Sequence, residues 1–433
     1  MEKFFELKKH GTNVRTEILA GLTTFMTMAY ILVVNPDILG KTGMNQSAVF
    51  TATAVSAAIA TLIMALYAKY PFALAPGMGL NAYFAFSVVI GQGLSWEFAL
   101  TAVLIEGIIF ILLSLFKGRE VIFDSIPLTL KKAVSVGIGL FISLIGLSGS
   151  GIIIHKEGGV IVSLGKIKEG AALLALIGLI ITFILVIRKV KGALLLGIIL
   201  TTIIGIPMGI TTIPEGFKLF SLPPTLEPIA FKFDFSQVFT TQMFMAVLTF
   251  LFVDMFDTVG TLAGVASKTN MLDKDGKLPR VGRAFFADSV GTVVGAMLGT
   301  STVTTFVESS AGVAEGGRTG LTSLTTAIMF LLALFIAPIF TLVPSAATAP
   351  ALITVGMFMM EPIMDINFRD YTEAIPAFLT IAMMPFAYSI AEGIFFGMIS
   401  YTVLKTVAGR SKEVSPLMWI LSILFVLRYV FLV

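Results

Sequence analysis

The sequence predicts an all-α polytopic membrane protein whose two halves lie in opposite orientations, and three observations carry that reading. Apolar residues make up 57% of the 433 and charged residues only 13%, with a mean hydropathy of +0.98, whereas soluble domains carry roughly 25% charged residues. The apolar residues are gathered into runs near the length, about 20 residues, that a helix needs to cross a bilayer. A Pro-rich stretch over 211–237 divides these runs into seven and then seven or eight, and an odd number per half turns the second copy upside down.

The candidate segments lie near 16–36, 47–68, 72–90, 96–116, 126–154, 170–187, 191–210, 238–266, 284–299, 301–314, 320–343, 345–360, 372–388, 390–407 and 416–433. Met1 to Arg15 is charged and lacks the short apolar run and small-residue cleavage site of a signal peptide, so the first segment is expected to remain uncleaved. An inside N-terminus places Lys8, Lys9, Arg15, Lys69, Lys117, Arg119, Lys131, Lys132, Arg188, Lys189, Lys191, Lys268, Lys274, Lys277, Arg280, Arg283 and Arg318 on the cytoplasmic side, as the positive-inside bias requires. Forty Gly and seventeen Pro suit a membrane bundle, where small residues let helices approach. With no Cys in the chain, disulfides and thiol chemistry are excluded.

Two segments break the helical pattern. The third reads Tyr70-Pro71-Phe72-Ala73-Leu74-Ala75-Pro76-Gly77-Met78-Gly79-Leu80-Asn81-Ala82, with helix breakers inside an apolar run. An extended piece ending at Gly77-Met78-Gly79, followed by a helix starting near Asn81, leaves backbone N–H groups facing the interior. The same glycines match the dinucleotide fingerprint, but that motif needs a soluble βαβ unit. The tenth segment, Gly299 to Val313, opens with the β-branched run Thr300-Ser301-Thr302-Val303-Thr304-Thr305, which favours an extended start.

Acids within apolar stretches are costly, by about 2.5–3.5 kcal/mol on insertion scales, and so point to function. Glu308 follows the extended start of the tenth segment. Asp254 and Asp257 stand three residues apart in the eighth, roughly on one helix face, where two close carboxylates would act on each other. Glu106 and Asp288 are read as helix-to-helix bonds and Glu392 as interfacial. His10 and His155 fall in hydrophilic segments, away from the acids, so no metal site is expected.

Three long motifs stand in order: Gly79-Leu80-Asn81-Ala82-Tyr83-Phe84-Ala85, Phe256-Asp257-Thr258-Val259-Gly260-Thr261-Leu262, and Thr304-Thr305-Phe306-Val307-Glu308-Ser309-Ser310-Ala311-Gly312-Val313 running on to Leu321. They resemble the AzgA-like hypoxanthine/guanine/adenine permeases, and the resemblance runs nearly end to end, from Thr16-Glu17-Ile18 to Ser415-Pro416-Leu417-Met418-Trp419. It implies fourteen transmembrane segments in a 7+7 inverted repeat, with short extended stretches before the half-helices of segments 3 and 10. It further implies a core domain, 1–116 and 238–343, a gate domain, 117–210 and 344–433, and a linker, 211–237. The site it implies is Asn81, Asp257 and Glu308 with Gly79 beside the base.

A purine presents ring N–H donors and N or O acceptors around a flat body, so carboxylates and an amide or free N–H are suitable partners. Phe306 is a candidate to stack on the ring, with Phe84 and Tyr83 behind it. The expectation is a purine permease of the cytoplasmic membrane working by proton symport, with Asp257 and Glu308 coupling the proton and with no cofactor and no metal. The partners expected are a small-molecule purine nucleobase and the lipid bilayer; a homodimer is compatible, and nucleic acid is not expected. The rivals are a xanthine, uracil or anion transporter on the same scaffold and an intramembrane hydrolase, although acids disfavour an anion site.

Overall fold

A computed structural model describes residues 2–115, 125–155, 162–267, 271 and 278–431. The predicted cytoplasmic residues Lys117, Arg119, Lys268, Lys274 and Lys277 lie outside the described residues. In chain order the first half holds α1 (Val14–Met28), α2 (Ile31–Gly40), α3 (Gln46–Ile63), strand β1 (Leu74–Pro76), α4 (Met78–Ala82, continued as a wide π-helix over Tyr83–Gly91), α5 (Trp96–Leu115), α6 (Leu128–Gly149), α7 (Gly170–Ile187) and α8 (Ala193–Gly205). The second half holds α9 (Thr241–Ser267), α10 (Val281–Leu298), strand β2 (Val303–Thr305), α11 (Ser309–Ala314), α12 (Gly320–Ala333), α13 (Ser345–Met359), α14 (Tyr371–Phe386), α15 (Ile390–Val407) and α16 (Pro416–Phe431). Among the described residues ten helices are long and apolar enough to cross a membrane, and Met78–Gly91, Ala193–Gly205 and Pro416–Val430 are shorter apolar helices.

The inverted repeat is legible in the packing. Exchanging each element with its counterpart in the other half converts real contacts into real contacts: α5 on α10 becomes α12 on α3, α1 on α12 becomes α9 on α5, and α14 on α15 becomes α7 on α8. The helices form two groups. The first contains α1 to α5 and α9 to α12, the second α6 to α8 and α13 to α15 with α16.

Both irregular segments behave as their sequences require. Pro76 cannot continue a helix, and Gly77, in extended conformation, caps the helix that follows. That helix begins at Met78, three residues before the expected start at Asn81, because Gly77 already supplies the turn. Strands β1 and β2 meet antiparallel with Leu74 opposite Thr305, Ala75 opposite Thr304 and Pro76 opposite Val303. The ladder is lengthened by Gly77 N–H to the Thr302 carbonyl and Phe306 N–H to the Ala73 carbonyl, each 3.0 Å.

A two-stranded sheet in an apolar interior leaves edges that must find partners. Serine and threonine hydroxyls from the surrounding helices supply them. Thr61 Oγ1 accepts from Leu74 N–H at 2.9 Å, Ser309 Oγ accepts from Ala73 N–H at 2.9 Å, and Thr292 donates to the Val303 carbonyl at 3.0 Å.

Another buried acid fixes α1 against α12. Glu17 is fully buried, and its carboxylate accepts from Arg318 N–H (2.9 Å), Thr319 Oγ1 (2.9 Å), Thr322 N–H (3.1 Å) and Thr322 Oγ1 (2.6 Å). A carboxylate from one helix thereby caps the N-terminus of another, satisfying orphan N–H groups and complementing the helix dipole. Asn45, in the glycosylation-like Asn45-Gln46-Ser47, is likewise a cap, accepting from Ala48 N–H at 3.0 Å.

The last of the fifteen candidate segments, 416–433, is α16 over its described residues. It runs antiparallel along the whole of α15, with Thr402 against Ser422 (2.8 Å), Phe395 stacked on Phe425 (4.1 Å) and Arg428 donating to Glu392 (2.9 Å).

Candidate functional site at the strand crossing

The β1–β2 crossing brings together residues more than 170 positions apart in sequence. On α9, Asp257 faces the start of the third-segment helix: a Cβ on Gly77 would lie 3.4 Å from Asp257 Oδ2 and 2.5 Å from Thr304 Cγ2. Only a residue without a side chain leaves that space open between the strand and the acid. Glu308, three residues beyond β2 at the N-cap of α11, lies within electrostatic reach of Asp257, as does Asp288. Tyr30, fully buried in the break between α1 and α2, donates to Glu308 Oε1 at 2.7 Å and is within reach of Asp257 as well. Two carboxylates, one phenol and the first N–H groups of α4 thus share one region.

Asp254 does not pair with Asp257 in the way the three-residue spacing suggested. Its Oδ1 lies 3.2 Å from the Thr258 hydroxyl, which is 2.8 Å from Asp288 Oδ1 and 2.7 Å from Thr304 Oγ1. The i,i+3 relation allows the two side chains to diverge, and Asp254 is drawn into a fully buried cluster between α9, α10 and β2. Asp288 bonds between helices as expected, whereas Glu106, read as a helix-to-helix bond, has its Oε2 accept at 2.7 Å from Thr302 in the extended stretch that leads into β2.

The other expected residues occupy different surroundings. Asn81 is fully buried; its Oδ1 accepts from Ser301, and its Nδ2 has no hydrogen-bond partner among the described residues. Gly79 packs on the second helix group, since a Cβ there would lie 2.8 Å from Ile138 Cγ2 on α6. Phe306 is 5% exposed and Phe84 fully buried, while Tyr83 lies edge-on to Phe250 at 4.7 Å. Glu392 is bound by Arg428 and Tyr429. Tyr30 was not singled out by the sequence; the available signal was a lone phenol within an apolar run at the point where the first segment breaks.

Two half-helices behind crossed strands, inverted halves and acids at the crossing define a membrane transporter built to bind a small molecule in its interior. The Xan_ur_permease model of the Permease family matches residues 15–396, and the chain belongs to that family. It is therefore a multi-pass membrane permease and not an enzyme. It is 46% identical to the guanine/hypoxanthine permease PbuG of Bacillus subtilis (strain 168), over 100% of both chains. It is 42% identical to the adenine permease AdeP of Escherichia coli (strain K12), over 100% of this chain and 96% of that protein. The fold is shared with the transmembrane domain of a cyanobacterium bicarbonate transporter, BicA, at a TM-score of 0.66 and 18% identity, over 88% of this chain and 97% of that one.

Proposed function

We propose that this permease carries a purine nucleobase of the hypoxanthine, guanine and adenine group across the cell membrane together with a proton. The observation that carries the proposal is that Asp257, beside Gly77 and Thr304 of the two strands, and Glu308, bonded by Tyr30, come from two different segments to the strand crossing. The printed activities of PbuG and AdeP support the same substrate class. Bicarbonate is the cargo named for BicA, but a site with two carboxylates repels an anion, so the common fold does not favour that cargo here.

In this reading Glu308 is the principal acceptor for ring N–H groups, and Asp257 takes the proton and serves as second ligand. Asn81, through its spare amide N–H, and the N–H groups at the start of α4 serve ring acceptors. Gly79 lets the base approach the backbone, and Phe306 forms an apolar wall. The first helix group is the core, and it moves against the second, the gate, to expose the site alternately. A proton entering down 100 mV releases about 2.3 kcal/mol and a tenfold gradient costs about 1.4 kcal/mol, so one proton supports accumulation by tens of fold. A homodimer is the assembly to examine in detergent.

The test is uptake of radiolabelled hypoxanthine, guanine, adenine, xanthine and uracil by cells expressing the wild type and Glu308→Gln, with and without a protonophore. Purine uptake that collapses in the variant and with the protonophore is expected. Purine uptake indifferent to the protonophore would remove proton coupling, and transport of uracil or xanthine alone would remove the purine assignment.

A further inference from the structure

A cavity of about 160 Å³ lies between the two helix groups, at the end of the bundle that the inside N-terminus places away from the cytoplasm. Tyr83, Gln92, Gln242 and Thr249 line it from the first group, and Glu392 and Arg428 from the second. Thr249 stands eight residues before Asp257 on α9, so the cavity lies about 12 Å outward of the proposed central site along that helix. We propose that this cavity is a vestibular binding site for the purine base on its way to the strand crossing. The proposal rests on the purine reading above.

The ion pair in the cavity wall has no role in the central site, and neither does the helix that supplies half of it. Arg428 Nη1 donates to Glu392 Oε1 at 2.9 Å, and Tyr429 donates to the other carboxylate oxygen. Each Glu392 carboxylate oxygen thus accepts one hydrogen bond, and Arg428, which also faces the Tyr429 hydroxyl, keeps N–H groups that bond no other carboxylate among the described residues. The guanidinium is held over the rings of Phe395 and Tyr429, 5.2 Å from each centroid, which orients its remaining N–H groups. A guanidinium presents two parallel donors that match the adjacent O6 and N7 acceptors of a 6-oxopurine.

Charge balance selects the ligand class. Arg428 and Glu392 cancel, so the cavity offers directional hydrogen bonds without net charge, which suits a neutral heterocycle and gives an anion no advantage. Gln92 and Gln242, exposed at the rim, each add one acceptor and two donors for the remaining edges of the ring. The volume is below the range of drug-sized pockets, roughly 300–1,000 Å³, and suits a small flat molecule. Because the two walls belong to different helix groups, movement of one group against the other would open or collapse the site.

The chain contains no Cys, so Gln242→Cys is a unique thiol. It is placed in a Glu308→Gln background, where the central site is disabled, and cells are treated from outside with a membrane-impermeant maleimide. Millimolar hypoxanthine is expected to slow labelling at least threefold and bicarbonate to leave it unchanged; adding Gln92→Ala should reduce the protection. With Glu308 intact, Gln92→Ala should raise KM for hypoxanthine about fivefold and leave Vmax within twofold. Labelling indifferent to hypoxanthine, in a protein whose wild type transports it, would overturn the vestibular site and leave the central one standing. A wild type that neither binds nor transports any purine would overturn both.

Discussion

The Tyr30 hydroxyl donates to Glu308 Oε1 at 2.7 Å, joining the break in the first segment to the start of α11 across 278 positions. A hydrogen bond to an ionised group contributes about 1.5–3 kcal/mol, which corresponds to roughly ten- to hundredfold in an equilibrium constant. Tyr30 therefore positions the acid proposed to recognise the base.

Tyr30→Phe is expected to reach the membrane in normal amount and to lose about tenfold or more in Vmax/KM for purine uptake, since the ring remains and only the donor is removed. Uptake kinetics measured against surface expression test this, and unchanged kinetics would show that Glu308 is held by other contacts.

Gly79→Ala should impair transport without preventing folding, because its Cβ would stand 2.8 Å from Ile138 Cγ2 on the opposing helix group. Trimming the obstacle in Gly79→Ala/Ile138→Ala should restore a substantial part of the lost rate, a non-additive pair in a double-mutant cycle. Simple additivity would place the defect elsewhere.

Glu17→Ala should lower thermal stability by about 3 kcal/mol or more, since it strips a buried acceptor from several N–H and O–H donors at the start of α12. Glu17→Gln should be milder, as one amide oxygen can still accept. Melting of the purified protein followed by intrinsic fluorescence ranks the three.

At the predicted cytoplasmic end, Arg410 contacts both Asp370 and Glu413 at 2.6 Å. Hydrogen bonds from Arg410 and Thr372 hold the Asp370 carboxyl well below the usual range, and those from Arg410 and then Lys405 bring Glu413 down to about 2. Both folded values are depressed, so the stabilisation is fully present above the unfolded carboxylate values, near about 4, and is lost as pH falls through the folded ones. Wild type and Arg410→Gln should differ by a constant melting interval from pH 8 to 5, and that interval should shrink below about pH 4. An interval that grows on acidification would contradict the assignment.

The irregular segments were legible in sequence because Pro76, Gly77 and the β-branched run at 300–305 are locally incompatible with a continuous helix, and the acids stood out because charge is rare in such surroundings. What escaped was whatever depends on a side-chain partner that local spacing does not reveal. Nothing near Tyr30 indicates that it meets Glu308, nothing near Glu17 marks it as the cap of a helix 300 residues on, and the spacing of Asp254 and Asp257 does not disclose that Thr258 and Asp288 draw the former away. Asn81 was identified as a polar residue at the right segment, but its bond to Ser301 follows from the strand crossing alone.

Were the two halves identical in sequence, exchanging them would turn an inward-open arrangement into an outward-open one of equal energy; here they share an arrangement and differ in sequence, so the proposed end states are unequal. Among the described residues the helix packed along α15 has no counterpart packed along α8, and its contacts therefore enter one half only. That helix adds an imbalance confined to one half, so shortening the chain before Pro416 should change which face of the membrane the empty carrier prefers.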